Sequence, residues 1–402
     1  MIRVNNKIVY TPGPTNVREN VRLARGMKTT NPDVDNDFVE FYKKTCEKIG
    51  DIIGTQNDVY ILSGEGILGL EAACATLTES GDRVLVIDNG IFGRGFEDFV
   101  SMYGGEAILF SEDYTKDIDI ESLETFLEND SDFKYATIVH CDTPTGVLND
   151  LSKICPLLKK YNILTVVDSV AAMVGEKLEV DKWQVDIALG GSQKAISAPA
   201  GLTIVSISED AQLAFKNRKT KVTGFYCNLG IWENYYQDKW FPYTMPISDI
   251  MGLNRAIDNI IEEGIENAIN RHKRIATATR NAFVDYGLEL FLENGYSSTV
   301  TAVKIPESIG ALNLIKYAYD VYNTVLSTSL GEYSNSILRV GHMGENARVK
   351  DLVGILNTID MSMVNLGFNR DKSLVDLFNK YYSLYCKEDV ENEHYNRIQF
   401  QV

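Results

Sequence analysis

The sequence predicts an α/β protein built on a large, mostly parallel seven-stranded sheet with helices on both faces. Seven short apolar runs occupy residues 59–62, 83–87, 107–110, 136–139, 163–167, 185–189 and 202–206. Each is β-rich and too short for a buried helix. Their apolar character is continuous rather than alternating, as in strands covered on both faces. Helix-length segments such as 68–79 and 151–161 lie between most of them, the pattern of a sheet wound with crossover helices.

The elements follow in order. The opening residues end in Thr11-Pro12-Gly13-Pro14-Thr15, a stiff turn in which two prolines exclude helix. Residues 34–53 predict a helix, with Phe38, Phe41, Tyr42, Ile49 and Ile52 at three- and four-residue spacings. The run at 202–206 follows its predecessor with no room for a full helix, so an antiparallel strand is expected there. Residues 247–286 read as one long, interrupted helical region. It leads to a smaller α+β unit, with strands at 299–305 and 337–340 and helices at 310–323 and 345–366. Beyond 370 the chain is polar and tyrosine-rich. Leu374, Leu377, Phe378, Tyr381 and Tyr382 suit one amphipathic helix. The expected organisation is an arm over 1–20, a large domain over 21–250, a small domain over 251–370 and an extension over 371–402.

Composition narrows the partners. Lys plus Arg number 39 against 56 Asp plus Glu, a net charge of −17 over 402 residues. Such a chain lacks the cationic surface that neutralises phosphates, which argues against nucleic acid and anionic membranes. No apolar run approaches the ~18 residues that span a bilayer, and the first ten residues do not resemble a signal peptide. A cytoplasmic protein with small-molecule partners is expected. The six cysteines form no C-x-x-C pair, so reduced buried thiols rather than a metal site are expected.

Two features carry chemistry. Gly64-Glu65-Gly66-Ile67-Leu68-Gly69 is a literal G-x-G-x-x-G between a strand and a helix. Alone it also suits a nicotinamide dehydrogenase, with Asp88 ending the next strand. It lies some sixty residues into the chain, however, and the stronger signals come a hundred residues later. Asp168 ends one apolar run, and Lys194 follows the next through Gly190-Gly191-Ser192-Gln193. The carboxyl ends of such strands are where ligands bind. An acid and a lysine above a glycine cradle are what pyridoxal 5′-phosphate requires.

At this point the chain resembles a family, the fold-type I, class V aminotransferases, with the alanine–glyoxylate and serine–pyruvate branch most similar. The matching segments are Thr11-Pro12-Gly13-Pro14, Ser63-Gly64-Glu65-Gly66, Asn89-Gly90-Ile91-Phe92-Gly93, His140 to Leu148, Val167-Asp168-Ser169-Val170, Gly191-Ser192-Gln193-Lys194 and Leu338-Arg339-Val340-Gly341. The resemblance implies transamination between a small amino acid and a 2-oxo acid such as glyoxylate or pyruvate, with pyridoxal 5′-phosphate as cofactor. It implies Lys194 as Schiff-base lysine and proton shuttle, and Asp168 as partner of the pyridine nitrogen. Phe92 and Val170 would cover the ring faces, and Thr143 would lie near the ring 3′-oxygen. Gly64, Glu65, Gly66 and Gln193 would bind the phosphate, joined by Thr244 from the partner subunit of a homodimer. Arg339 would hold the substrate carboxylate, and the Gly13 backbone would close over it.

Departures accompany the resemblance. Glu65 stands where many relatives carry a small hydroxyl residue, and its carboxylate is expected to point away from the phosphate. Phe241 stands where relatives often place a phosphate-binding tyrosine. Aspartate as donor, a 2-aminoethylphosphonate:pyruvate transaminase, and more remotely a cysteine desulfurase or lyase remain alternatives at this level.

Overall fold

The computed structural model describes residues 7–368 and 370–399. All seven apolar runs become strands of one sheet: β1 (Asp58–Ser63), β2 (Arg83–Asp88), β3 (Glu106–Ser111), β4 (Tyr135–Val139), β5 (Leu164–Asp168), β6 (Ile187–Gly191) and β7 (Leu202–Ile207). Their spatial order is β1-β7-β6-β5-β4-β2-β3. Strands β2 to β6 are mutually parallel, and β7 is antiparallel to both neighbours. The reversal has the cause read from the sequence: a parallel connection needs a crossover, and residues 192–201 are too few to build one. The ends of β1, β5 and β6 therefore meet the start of β7 at a single edge.

Helix α1 (Asn36–Ile53) begins where the Asp35 side chain accepts a hydrogen bond from the Asp37 N–H, and it ends at Gly54. Phe38, Tyr42, Ile49 and Ile53 form its buried stripe. Tyr42 does more than pack. Its hydroxyl donates to the Ile61 carbonyl at 3.0 Å and accepts from the Ile61 N–H at 2.7 Å. Ile61 lies on β1, an outer strand of the sheet, so one side chain satisfies both outward backbone groups of that residue. The crossover helices include α2 (Gly66–Leu77), α3 (Ile91–Met102) and α4 (Leu151–Lys160).

The long helical region divides at Gly264 into α5 (Ile247–Glu263) and α6 (Ile265–Tyr286). Beyond it, β8 (Val300–Lys304), β9 (Ser327–Thr328) and β10 (Ile337–Gly341) form an antiparallel sheet with β10 central. Helices α7 (Ala311–Tyr322) and α8 (Val349–Asn365) cover it. A second hydrophobic core, containing Phe283, Leu314, Val340 and Leu356, sits here apart from the large-sheet core.

The last element, α9 (Leu374–Gln399), begins within the expected extension, and its start is part of this second core. Leu374, Leu377 and Phe378 are buried in it. The Leu374 N–H is capped by the Asp360 carboxylate at 2.9 Å, and Asn281 donates to the Tyr385 hydroxyl at 2.6 Å. The chain start is tied to the same unit: Ile8 and Val9 pair in parallel with Thr324 and Val325. Because Phe378 is fully buried, Phe378→Ala should cost about 3–5 kcal/mol in chemical denaturation. A loss under about 1 kcal/mol would show that the packing of α9 contributes little to stability.

Candidate active site

A cavity of about 330 Å³ opens at the shared strand edge. Asp168, the last residue of β5, lines it, as does Lys194, three residues beyond β6. Phe92 reaches it from the first turn of α3 and Gly66 from the first residue of α2. Gly13, Glu65, Thr143, Val170 and Gln193 complete the expected residues found in its wall. Gly64 lies just before, at the end of β1.

The ionisable groups are held away from water. One Asp168 carboxylate oxygen accepts the Val170 N–H at 2.9 Å, and burial pushes its pKa up to about 6. Lys194 Nζ donates to the Pro12 carbonyl at 2.6 Å. Burial first, and then the nearby Arg339 guanidinium, hold its pKa below the ordinary lysine value. Arg339, on β10, is half-buried and absent from the cavity wall, although its charge acts on Lys194. Its Nε donates to the Thr328 carbonyl at 2.7 Å and its Nη1 to the Thr143 carbonyl at 3.3 Å. Burial lowers its pKa to about 10. No carboxylate forms an ion pair with Arg339 among the described residues.

Two glycines are required by close approach. Gly13 has φ +85°, and a Cβ there would collide with Lys194 Cδ. A Cβ on Gly66 would lie 2.8 Å from Val170 Cγ2. The arm and the start of α2 thus approach the lysine and the far wall more closely than any side chain permits.

The turn between β1 and α2 differs from expectation at Glu65. Its carboxylate does not point away. One oxygen accepts the Ile67 N–H at 3.2 Å, capping α2, and the other accepts Gln193 Nε2–H at 3.1 Å. The cause is the unsatisfied donors of a helix start, which attract the nearest anion. Thr244 lies elsewhere. It is exposed, its hydroxyl donates to Asp33 at 3.1 Å, and it is absent from the cavity wall. Phe241 is buried among Phe38, Tyr42 and Tyr235.

Three residues given no site role in the sequence-based expectations line or brace this arrangement. Asp142 is fully buried and accepts the Phe92 N–H at 2.8 Å, together with the Thr145 hydroxyl at 2.8 Å. It fixes the start of α3 and so the placement of Phe92; an acid three residues before a threonine was the available signal. Thr15 donates to the Lys194 carbonyl at 3.0 Å, and its N–H to that of Gln193 at 2.9 Å, which pins the arm to the lysine loop. Cys141 lines the cavity, but its thiol hydrogen-bonds Ser297 at 3.2 Å and burial pushes its pKa up to about 12. It is a neutral thiol, not a nucleophile.

Comparison with known proteins agrees with this geometry. A family model described as Aminotransferase class-V matches residues 20–308. An uncharacterized aminotransferase from Methanocaldococcus jannaschii is 34% identical over 92% of this chain and 96% of its own. A serine–glyoxylate aminotransferase from Arabidopsis thaliana is 32% identical over 90% of this chain and 91% of its own. The crystal structure of pyridoxamine–pyruvate aminotransferase from Mesorhizobium loti superposes with a TM-score of 0.89 at 28% identity, covering 97% of this chain and 99% of that one. With the sheet edge, the buried acid and lysine, and these relatives in agreement, the chain belongs to the class V aminotransferases.

Proposed function

We propose that this site transfers an amino group between a small amino acid of the alanine or serine class and a 2-oxo acid such as glyoxylate or pyruvate, with pyridoxal 5′-phosphate as coenzyme. One observation carries the reading: Arg339 is half-buried, near enough to Lys194 to lower its pKa, and forms no ion pair with a carboxylate among the described residues. A guanidinium in that position calls for an anion, and a substrate α-carboxylate matches its fork.

The residues present suit the coenzyme ring. An aromatic side chain, a valine, a buried carboxylate and a lysine share one cavity wall. When bound, the coenzyme supplies an electron-withdrawing ring that stabilises negative charge at the substrate Cα. Asp168 would hold a proton on the pyridine nitrogen, with Phe92 and Val170 against the ring faces and Thr143 beside its 3′-oxygen. Lys194 would be the attachment point and would carry the proton between Cα and C4′. Its lowered pKa favours the neutral amine that both tasks need. Gly64, Glu65, Gly66 and Gln193 would face the phosphate from the start of α2 and the lysine loop. The Gly13 backbone would close over the substrate.

The protein would act as a homodimer, with Thr244 completing the phosphate site of the partner. Phe225, Tyr226 and Trp240 support this, since all three are exposed aromatics on the segment leading to Thr244.

Lys194→Ala should abolish turnover and visible coenzyme absorbance, and retained activity would refute the assignment. Arg339→Gln should lower kcat/KM for amino and oxo acids by about a hundredfold or more, the loss of a bidentate charged contact. An unchanged kcat/KM would remove Arg339 from the site. Asp168 gives a pH test. Its pKa is raised from 3.8 to about 6 in the folded, coenzyme-free protein. Ionisation therefore opposes folding: there is no penalty below pH ~4, and the full penalty, about 2–3 kcal/mol, is present above pH ~6. Asp168→Asn should stabilise the coenzyme-free protein at pH 8 and flatten its stability profile between these limits while slowing turnover. A variant less stable at pH 8 would contradict this. Light scattering of the active enzyme should return twice the 45.0 kDa chain mass; an active monomer would exclude a role for Thr244 in trans.

A further inference from the structure

The two ends of the cavity differ in chemistry. The ring end presents Asp168, Thr143, Phe92 and Lys194. The other end, where α2 begins, already contains an anion. The Glu65 carboxylate accepts the Ile67 N–H and the Gln193 side-chain N–H, at 3.2 and 3.1 Å. These are donors that a phosphate would use. No lysine or arginine forms an ion pair with the exposed Glu65 among the described residues; the positive elements near it are the start of α2 and, through space, Lys194.

Gln193 adds an independent observation. Because a carboxylate only accepts, the Gln193 amide must turn its nitrogen toward Glu65. Its Oε1 is then a second acceptor, and it is buried without a hydrogen-bond partner, on a residue only 6% exposed that lines the cavity. A buried acceptor left unfilled is costly. This end of the cavity therefore lacks a donor rather than another acceptor. A phosphate dianion brings only acceptors and like charge. A neutral hydroxymethyl group brings an O–H.

We propose that the site also takes the unphosphorylated forms of the coenzyme, pyridoxal and pyridoxamine, with the Glu65 carboxylate accepting the hydrogen bond of their 5′-hydroxymethyl group. The proposal rests on the reading of the ring-binding residues given above. The ring contacts assigned to Asp168, Phe92, Thr143 and Val170 are made to the pyridine ring and not to its 5′ substituent, so a ring without the phosphate meets the same groups. Free pyridoxamine held there is itself an amino donor. Its 4′-amino group passes to a 2-oxo acid, leaving pyridoxal and an amino acid. Lys194 moves one proton from C4′ to Cα, and no other reactant is needed.

The test is equilibrium binding to the full-length, coenzyme-free protein, followed by absorbance for pyridoxal and pyridoxal 5′-phosphate and by dialysis for pyridoxamine. Glu65→Ser keeps a good helix cap while removing the charge, and Glu65→Gln keeps the size. Thermal unfolding confirms that both variants are folded. The wild-type protein should bind pyridoxal and pyridoxamine. In Glu65→Ser the preference for pyridoxal 5′-phosphate over pyridoxal, as a ratio of Kd values, should rise by about tenfold or more, with Glu65→Gln moving the same way. A smaller change, or wild-type protein that binds the phosphorylated form alone, overturns the proposal and leaves the coenzyme reading standing. If no form binds the wild-type protein, the coenzyme reading falls and takes this proposal with it.

Discussion

Asp168 and Lys194 are ionisable groups kept from water at the ends of neighbouring strands, and the rest of the site is arranged around that fact. Burial works against both charges, raising the acid and lowering the amine. Each is held by a local hydrogen bond. The Val170 N–H serves the carboxylate, and the Pro12 carbonyl serves the amine. The Pro12 carbonyl belongs to the N-terminal arm, so the arm is part of the site rather than a trailing segment. Arg339 then adds a half-buried cation nearby, which pushes the lysine further toward its neutral form.

Three separate parts of the chain supply these groups. The large sheet places the acid and the lysine, and β10 of the smaller sheet delivers Arg339. The arm runs between them, pairing with Thr324 and Val325 at one end and bonding to the lysine loop through Thr15 at the other. Arg339 is in turn anchored by the Thr143 carbonyl, from the segment after β4. Displacement of the smaller unit would therefore shift both the guanidinium and the carbonyl facing Lys194.

Much of this was legible in the sequence, for physical reasons. Continuous apolar runs identify strands covered on both faces, and all seven were found. The short loop after β6 foretold the reversal of β7. Asp168 and Lys194 could be placed because a strand end followed by glycines leaves few positions for a side chain. The remainder depended on contacts between distant segments. Asp142 reads as an ordinary loop acid until α3 is seen to start on it. Thr15 shows nothing until the arm is laid against Lys194. Glu65 was expected to turn from the phosphate position; the attraction of a helix start for an anion was the competing effect. The seam between α9 and the smaller core was also hidden, since a polar, tyrosine-rich segment gives only a weak amphipathic signal.

The hydroxyl of Tyr42 on the outer strand has a consequence unrelated to chemistry at the site. An outer strand with free N–H and C=O groups can recruit a strand from another molecule and start aggregation. At Ile61 both groups are already engaged by one phenol. Tyr42 and Ile61 are both fully buried, so a phenylalanine in place of Tyr42 would fill the aromatic cluster yet leave an N–H and a C=O unpaired away from water; one phenolic oxygen closes the edge that α1 covers.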